Sequence, residues 1–287
     1  MKQDNCPLRF ADNPVFGIQM HYRKENDVNQ FDNKLIAMSN VLAKKQTKWT
    51  VTEKKLFFLT ISQLRWKENS NSNVIELRKA DIYEKLDLNP DDLPSGYLRN
   101  QFKSMASKSW IEFGDDEDFD DNFLIVGCSG RGKTFKVTIN PIYMPLVQEL
   151  NARYTMFWLD DLLEFESKHA MTLYQTLRRL FREDLAWSQP IDFTTVQLKD
   201  VFGLSKDDYM NKKSGKFERT NFEKYCVQRA VDEINSKCQA MHIFEWFKDY
   251  DRSGHVKKYV FQVSCKTREY QPKENAHEED TSNSEIW

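Results

Sequence analysis

The apolar positions of this chain run through one order twice. The copies are offset by 117 positions at Val74 and Ile191 and by 124 at Tyr97 and Asn221. Each copy opens with apolar residues near helical spacing. Leu56, Phe57, Leu59 and Leu64 predict a helix over 52–66, and Leu173, Leu177, Leu180 and Phe181 a second over 163–183. Thr50-Val51-Thr52-Glu53 supplies capping chemistry to the first: a threonine oxygen satisfies free amides, and an acid suits the positive end of a helix. A short half-buried strand follows in each copy, at 74–77 and at 191–194. Brief helices come next, at 80–86 and 196–202, the second stopped by Gly203 where the backbone turns left-handed. After turn-rich stretches, longer helices are predicted over 97–108 and 221–235, and a hairpin closes each copy.

The first hairpin joins 134–139 to either 110–113 or 123–126; the pattern leaves both open. The second joins 242–247 to 258–263. Helix, strand, helix, turn, helix, hairpin is the order of a winged helix, a helix-turn-helix with a β wing. The expected fold class is therefore α+β, two tandem winged-helix domains related by an internal pseudo-repeat. Residues 1–32 are expected as an N-terminal arm, partly disordered, 33–150 as the first winged helix, 151–266 as the second and 267–287 as a disordered acidic tail. Asn140-Pro141 ends the first hairpin, and 146–154 reads as a short connecting helix.

Composition narrows the class. With 40% hydrophobic and 13% aromatic residues in 287, the chain can fill two cores. No run approaches the ~18 apolar residues of a membrane span, and the first residues carry no secretory apolar core. The expected setting is a bacterial cytoplasm. Cys6, Cys128, Cys226, Cys238 and Cys265 form no metal-like spacing with histidine and read as reduced thiols, so neither metal nor cofactor is expected. The net charge of −2 does not advertise a polyanionic partner, but the signs are segregated. Lys212, Lys213, Lys216, Arg219, Lys224 and Arg229 crowd one segment, while seven acids lie between Glu112 and Asp121. Phosphate binding follows the local field, not the sum.

Gly127-Cys128-Ser129-Gly130-Arg131-Gly132-Lys133-Thr134 satisfies the phosphate-loop string G-x-x-x-x-G-K-[ST], and 156–161 resembles the apolar run and acid that hold Mg²⁺ in nucleotide hydrolases. The mechanics fail. The loop works by opening a helix, whereas Thr134 to Ile139 alternates, is β-branched and meets Pro141, so it predicts a strand. The string is read as a wing tip, and a nucleotide hydrolase is kept as the alternative. His169, on an amphipathic helix, reads as structural, and no nicking or other catalytic set is visible; the chain is expected not to be an enzyme.

The expected ligand is double-stranded DNA. In the 221–235 helix, Phe222, Cys226, Ala230, Val231 and Ile234 make an apolar face, leaving Asn221, Lys224, Tyr225, Gln228 and Asp232 for solvent or ligand, with Glu223 a further base contact where it faces the DNA. Lys212, Lys213, Lys216 and Arg219 before the helix, and Arg252, Lys257 and Lys258 on the wing, are assigned to phosphates. Arg99 and Lys103 offer a weaker equivalent in the first copy, whose acidic hairpin is expected to face away from DNA and to serve protein contacts.

Thr52-Glu53-Lys54-Lys55-Leu56-Phe57 after Asn33-Lys34-Leu35-Ile36, together with Asn221-Phe222-Glu223-Lys224-Tyr225 and Ala230-Val231-Asp232-Glu233-Ile234-Asn235, resembles the iteron-plasmid replication initiators, the RepB/RepE-like family, over about 33–266. The resemblance implies a protein that binds origin repeats as a monomer and its own operator inverted repeat as a dimer. The first winged helix would then supply dimerisation and backbone contacts. It further implies the host initiator ATPase and replicative helicase as partners, and Arg219, Lys224 and Gln228 as DNA contacts. Glu223 and Tyr225 depart from the arginine-rich helix start of the family. A dedicated transcriptional repressor of the same fold is the other reading.

Overall fold

Thr50 begins the first well-formed helix, α1 (Val51–Ile61), through a reciprocal capping box: its hydroxyl accepts from the Glu53 amide, and Glu53 accepts from the Thr50 amide. Thr194 and Gln197 repeat the device at α6 (Thr195–Val201). The computed structural model describes residues 35–39, 42, 48–64, 72–112, 117, 121–147, 154–182 and 187–265. The expected arm, the acidic tail and most of the acidic stretch between Glu112 and Asp121 lie outside the described residues.

The chain runs β1 (Leu35–Ser39), α1, β2 (Val74–Arg78), α2 (Lys79–Lys85), α3 (Tyr97–Ser107), β3 (Trp110–Ile111), β4 (Asn122–Phe123), β5 (Ile125–Arg131), β6 (Thr134–Ile139) and β7 (Tyr154–Trp158). It continues with α4 (Leu159–Glu164), α5 (Lys168–Leu180), β8 (Ser188–Phe193), α6, the helical stretch 219–237, β9 (Met241–Tyr250) and β10 (Val256–Cys265). Two three-stranded antiparallel sheets result, ordered β2-β6-β5 and β8-β10-β9. In each, the strand between the first two helices pairs with the last strand of the hairpin. Ile75, Leu77, Val137 and Ile139 bury one face of the first sheet. Ile191, Phe193, Tyr259, Phe261 and Val263 do the same in the second. Alternating burial along β2 and β8 is the period-2 signature the sequence carried.

Several local expectations change. The 163–183 helix is two elements: α4 ends at Glu164, and α5 starts after the N-cap Ser167, whose hydroxyl accepts from the His169 and Ala170 amides. Most of the connecting helix expected over 146–154 lies outside the described residues, and neither of its two ends forms α-helix. Pro141 to Leu146 forms a 3-10 turn with Pro145 inside, and Tyr154 to Trp158 pairs antiparallel with β1. The long helix begins at Arg219, two residues earlier than its apolar pattern showed.

Residues 28–266 make one compact unit. Lys85 Nζ bonds Asp160 at 3.1 Å. Lys237 Nζ bonds Glu166 at 2.6 Å, and Glu233 accepts from the Ser167 amide at 3.0 Å. Lys54, on α1, is buried near Lys168 of α5; desolvation, then that neighbouring ammonium, bring its pKa down to about 7. Among the described residues no helix is long and apolar enough to cross a membrane, and no group of three or more His, Cys, Asp or Glu could hold a metal. Cys128, Cys226, Cys238 and Cys265 are not joined in disulfides.

Candidate nucleic-acid interface

The stretch 219–237 is continuous right-handed helix: an α turn (Arg219–Phe222), a π segment (Glu223–Gln228) and a final α segment (Arg229–Lys237). Phe222, Cys226, Val227, Ala230, Val231 and Ile234 are buried. Phe222 alone meets the rings of Phe202, Tyr209, Phe217 and Tyr259. That anchoring turns Thr220, Asn221, Lys224, Tyr225, Gln228, Arg229 and Asp232 outward. Wide π turns recur at functional sites because they re-aim side chains within a helix.

The outward residues differ in how free they are. Lys224 Nζ lies 5.2 Å over the Tyr225 ring, and both are exposed. Asn221 donates to Glu218. Gln228 is held between Trp246 and Asp232. Glu223 turns inward: its side chain is 14% exposed and binds Lys248 Nζ at 2.9 Å and the Tyr259 hydroxyl at 3.1 Å. The hydrogen bond from Glu223, then its charge, raise the Lys248 pKa. Burial and the same carboxylate push Tyr259 up. As placed, the carboxylate expected to face a base is spent on tying the helix to the wing. Arg219 sits at the helix start, and its Nε is buried with no hydrogen-bond partner.

The segment before the helix is built, not loose. Lys199 Nζ, buried, donates to the carbonyls of Lys206 and Asp208 and lies 4.7 Å over Phe217. Met210 and Phe217 form a bridge, and Gly215 closes the turn at φ +64°. Lys212, Lys213 and Lys216 are thereby presented exposed at its tip. On the other flank, β9 and β10 form the long wing. Asp251 organises its tip by accepting from the Ser253 and His255 amides. Arg252 and Lys257 are exposed there, whereas Lys258 is paired with Asp192 at 2.6 Å.

In the first half, Arg99 and Lys103 are exposed on α3. The hairpin question resolves: β5 and β6 make the wing, while Trp110-Ile111 pairs with Asn122-Phe123 in a separate two-stranded sheet that carries the acidic stretch. The first wing is therefore not acidic. Its tip holds Arg131 and Lys133 exposed, with Lys79 Nζ bonded to the Gly132 carbonyl at 2.6 Å.

That tip is also the phosphate-loop string, and its glycines have hairpin reasons. Gly132 turns at φ +52°, and a Cβ on Gly130 would stand 2.9 Å from the Phe135 ring. Cys128 to Arg131 and Thr134 to Val137 pair with each other across the ladder. No helix begins at Thr134, so the amides that would cradle phosphate are absent from this hairpin. Of the acids at 160–161, Asp160 bonds Lys85 and Asp161 is buried against Cys238, Gln239 and Tyr174. His169 packs 5.1 Å from the Phe202 ring, and burial, then nearby cations, lower its pKa.

Thr220, outward on the same helix, carried no signal beyond sharing its polar stripe; Arg229, grouped by sequence with the cationic segment and not with the base-facing residues, stands on that stripe as well. Lys199, Lys248 and Trp246 carried no local signal, because their partners lie 7 to 25 positions away.

The crystal structure of the Pi initiator protein in complex with iteron DNA shares this mixed helix-and-sheet fold. Its TM-score is 0.66 at 14% identity, covering 82% of this chain and 99% of that one. Domains 2 and 3 of RctB align at 11% identity with a TM-score of 0.43, over 76% of this chain and 81% of theirs. The family model described as initiator replication protein, WH1, matches residues 35–178. Spanning half of the 287 residues, that match, on a fold shared with a known initiator, makes this chain a member of the initiator replication protein family.

Proposed function

We propose that this protein initiates plasmid replication by binding the repeated duplex sequences of an origin through two tandem winged helices, over 33–150 and 151–266. It acts by binding and not by catalysis. The observation that supports the reading best is the outward stripe of the 219–237 helix, set between the lysine tip at 212–216 and the cationic end of the long wing. Helix residues read base edges in the major groove; the loop and wing cations hold phosphates on either side. In the first half, Arg99 and Lys103 contact backbone only, and the wing tip at Arg131 and Lys133 adds at most one further phosphate contact. Self-association into an operator-binding dimer that represses its own gene, and contacts with the host initiator ATPase and helicase, complete the proposal. Binding of iteron DNA by the Pi initiator, on the same fold, favours an initiator over a dedicated repressor.

Footprinting on the DNA that flanks the gene tests the reading. Protection of evenly spaced repeats is the expected result. Lys224→Ala is expected to cost about 1–3 kcal/mol on those repeats and far less on random duplex. Equal loss on both would refute the assignment of this helix to base reading, and tight ATP binding that disappears in Lys133→Ala would restore the hydrolase.

A further inference from the structure

Gln228 lies on the outward stripe with its amide already committed on both sides. Trp246, on β9, donates its indole N–H to Gln228 Oε1 at 2.9 Å. Gln228 Nε2 donates to Asp232 Oδ1 at 2.7 Å. The two partners settle which end of the amide is which. An indole nitrogen only donates, so it must meet the oxygen; a carboxylate only accepts, so it must meet the NH₂. The indole cannot easily turn away, because it packs 6.5 Å from the Phe261 ring and 6.3 Å from Tyr259.

Each partner uses one site of the amide. One acceptor lone pair and one N–H remain, side by side on an exposed residue. That pair matches adenine in the major groove, whose N6 donates and whose N7 accepts. It does not match guanine, which offers two acceptors, O6 and N7, and so demands two donors. Cytosine and thymine each present a single polar group there.

We infer that Trp246 and Asp232 are positioning residues that fix the Gln228 amide to read an adenine, so that the wing, through its indole, takes part in sequence choice without touching a base. The inference rests on the proposal that this helix enters the major groove. Its energetic logic is preorganisation: a side chain held in one orientation before binding loses little freedom when the base arrives.

The test is selection of bound duplexes from a randomised pool by the full chain and its variants, with thermal melting of each. Wild type is expected to select a motif with an adenine that Gln228→Ala no longer prefers. Trp246→Phe, which keeps the ring and loses the N–H, is expected to weaken preference at that same position about tenfold and to leave the rest of the motif intact. Asp232→Ala, at an exposed site, should do the same. Asp232→Asn, whose carbonyl still accepts, should recover most of the preference; a general loss of helix stability would predict no such rescue. The inference is overturned if Trp246→Phe and Asp232→Ala leave the Gln228-dependent position unchanged, or if that position is a guanine. A wild-type protein that selects no motif would instead refute the groove-reading helix itself.

Discussion

The two halves of this molecule put the same order of elements to different electrostatic use. In the first, the link between α2 and α3 is short, with Pro90 to Asp92 forming a single 3-10 turn. In the second, the corresponding link stretches from Phe202 to Glu218 and is organised around the buried Lys199 to display three lysines. The first wing turns tightly at Gly132 and Lys133, and the second extends ten residues on each strand. Each half also holds a glutamate, buried in the first and partly buried in the second, that binds a lysine. Glu53 caps α1 and holds Lys108 at 2.8 Å, tying two helices of the core. Glu223 holds Lys248 and ties a candidate reading helix to its wing. A similar order of elements therefore leaves charge free to differ: inside the first half it ties core helices, and along the second it is displayed at the surface.

Three perturbations break or sharpen that contrast. The largest effect is expected from Glu53→Ala. It leaves the partly exposed Lys108 ammonium without its carboxylate and the Thr50 amide without its acceptor, at a cost of roughly 2–3 kcal/mol. Urea unfolding reads it directly; a loss no greater than that of an exposed charge would erase the structural half of the contrast.

Next comes Lys54, between α1 and α5. Its folded pKa, about 7, lies below the ordinary 10.5. Between those values the unfolded chain binds more protons than the folded one, so stability rises with pH across that window. Below pH 7 the full cost of burying the charged form is present. Lys54→Met is expected to stabilise the protein at pH 6 by on the order of 2 kcal/mol and by much less near pH 10. A gain independent of pH would show that packing, not charge, sets its effect.

The smallest effect compares the wings. Removing both Arg252 and Lys257 should lower the salt slope of DNA binding by up to about 2, one unit for each phosphate contact, equally on all sequences. Removing Arg131 and Lys133 should lower it less, if the first half touches backbone at fewer points. Equal slopes would make the halves equivalent in their hold on DNA.

Much of this was legible along the chain. The apolar periods placed both long helices, the capping threonine at position 50 began α1, and the alternation of Thr134 to Ile139 pointed to a strand in place of a nucleotide loop. The pattern also separated the buried side of the 219–237 helix from its outward side, because an α-helical face repeats locally and needs no distant partner. It misplaced the acidic stretch on the first wing, since the segments 110–113 and 123–126 are both rich enough in apolar residues to pass for a strand and only pairing distinguishes them.

Local patterning was enough to specify the order of elements, their inward faces and the separation of positive from negative segments. Tertiary structure alone decided that β7 returns to β1, that Glu223 faces Lys248 and Tyr259, and that Trp246 reaches Gln228. The reason is physical. Periodicity reports neighbours three or four positions apart, whereas these contacts join residues 18 or more positions apart, and only the packed sheet and helix bring such partners within hydrogen-bonding distance.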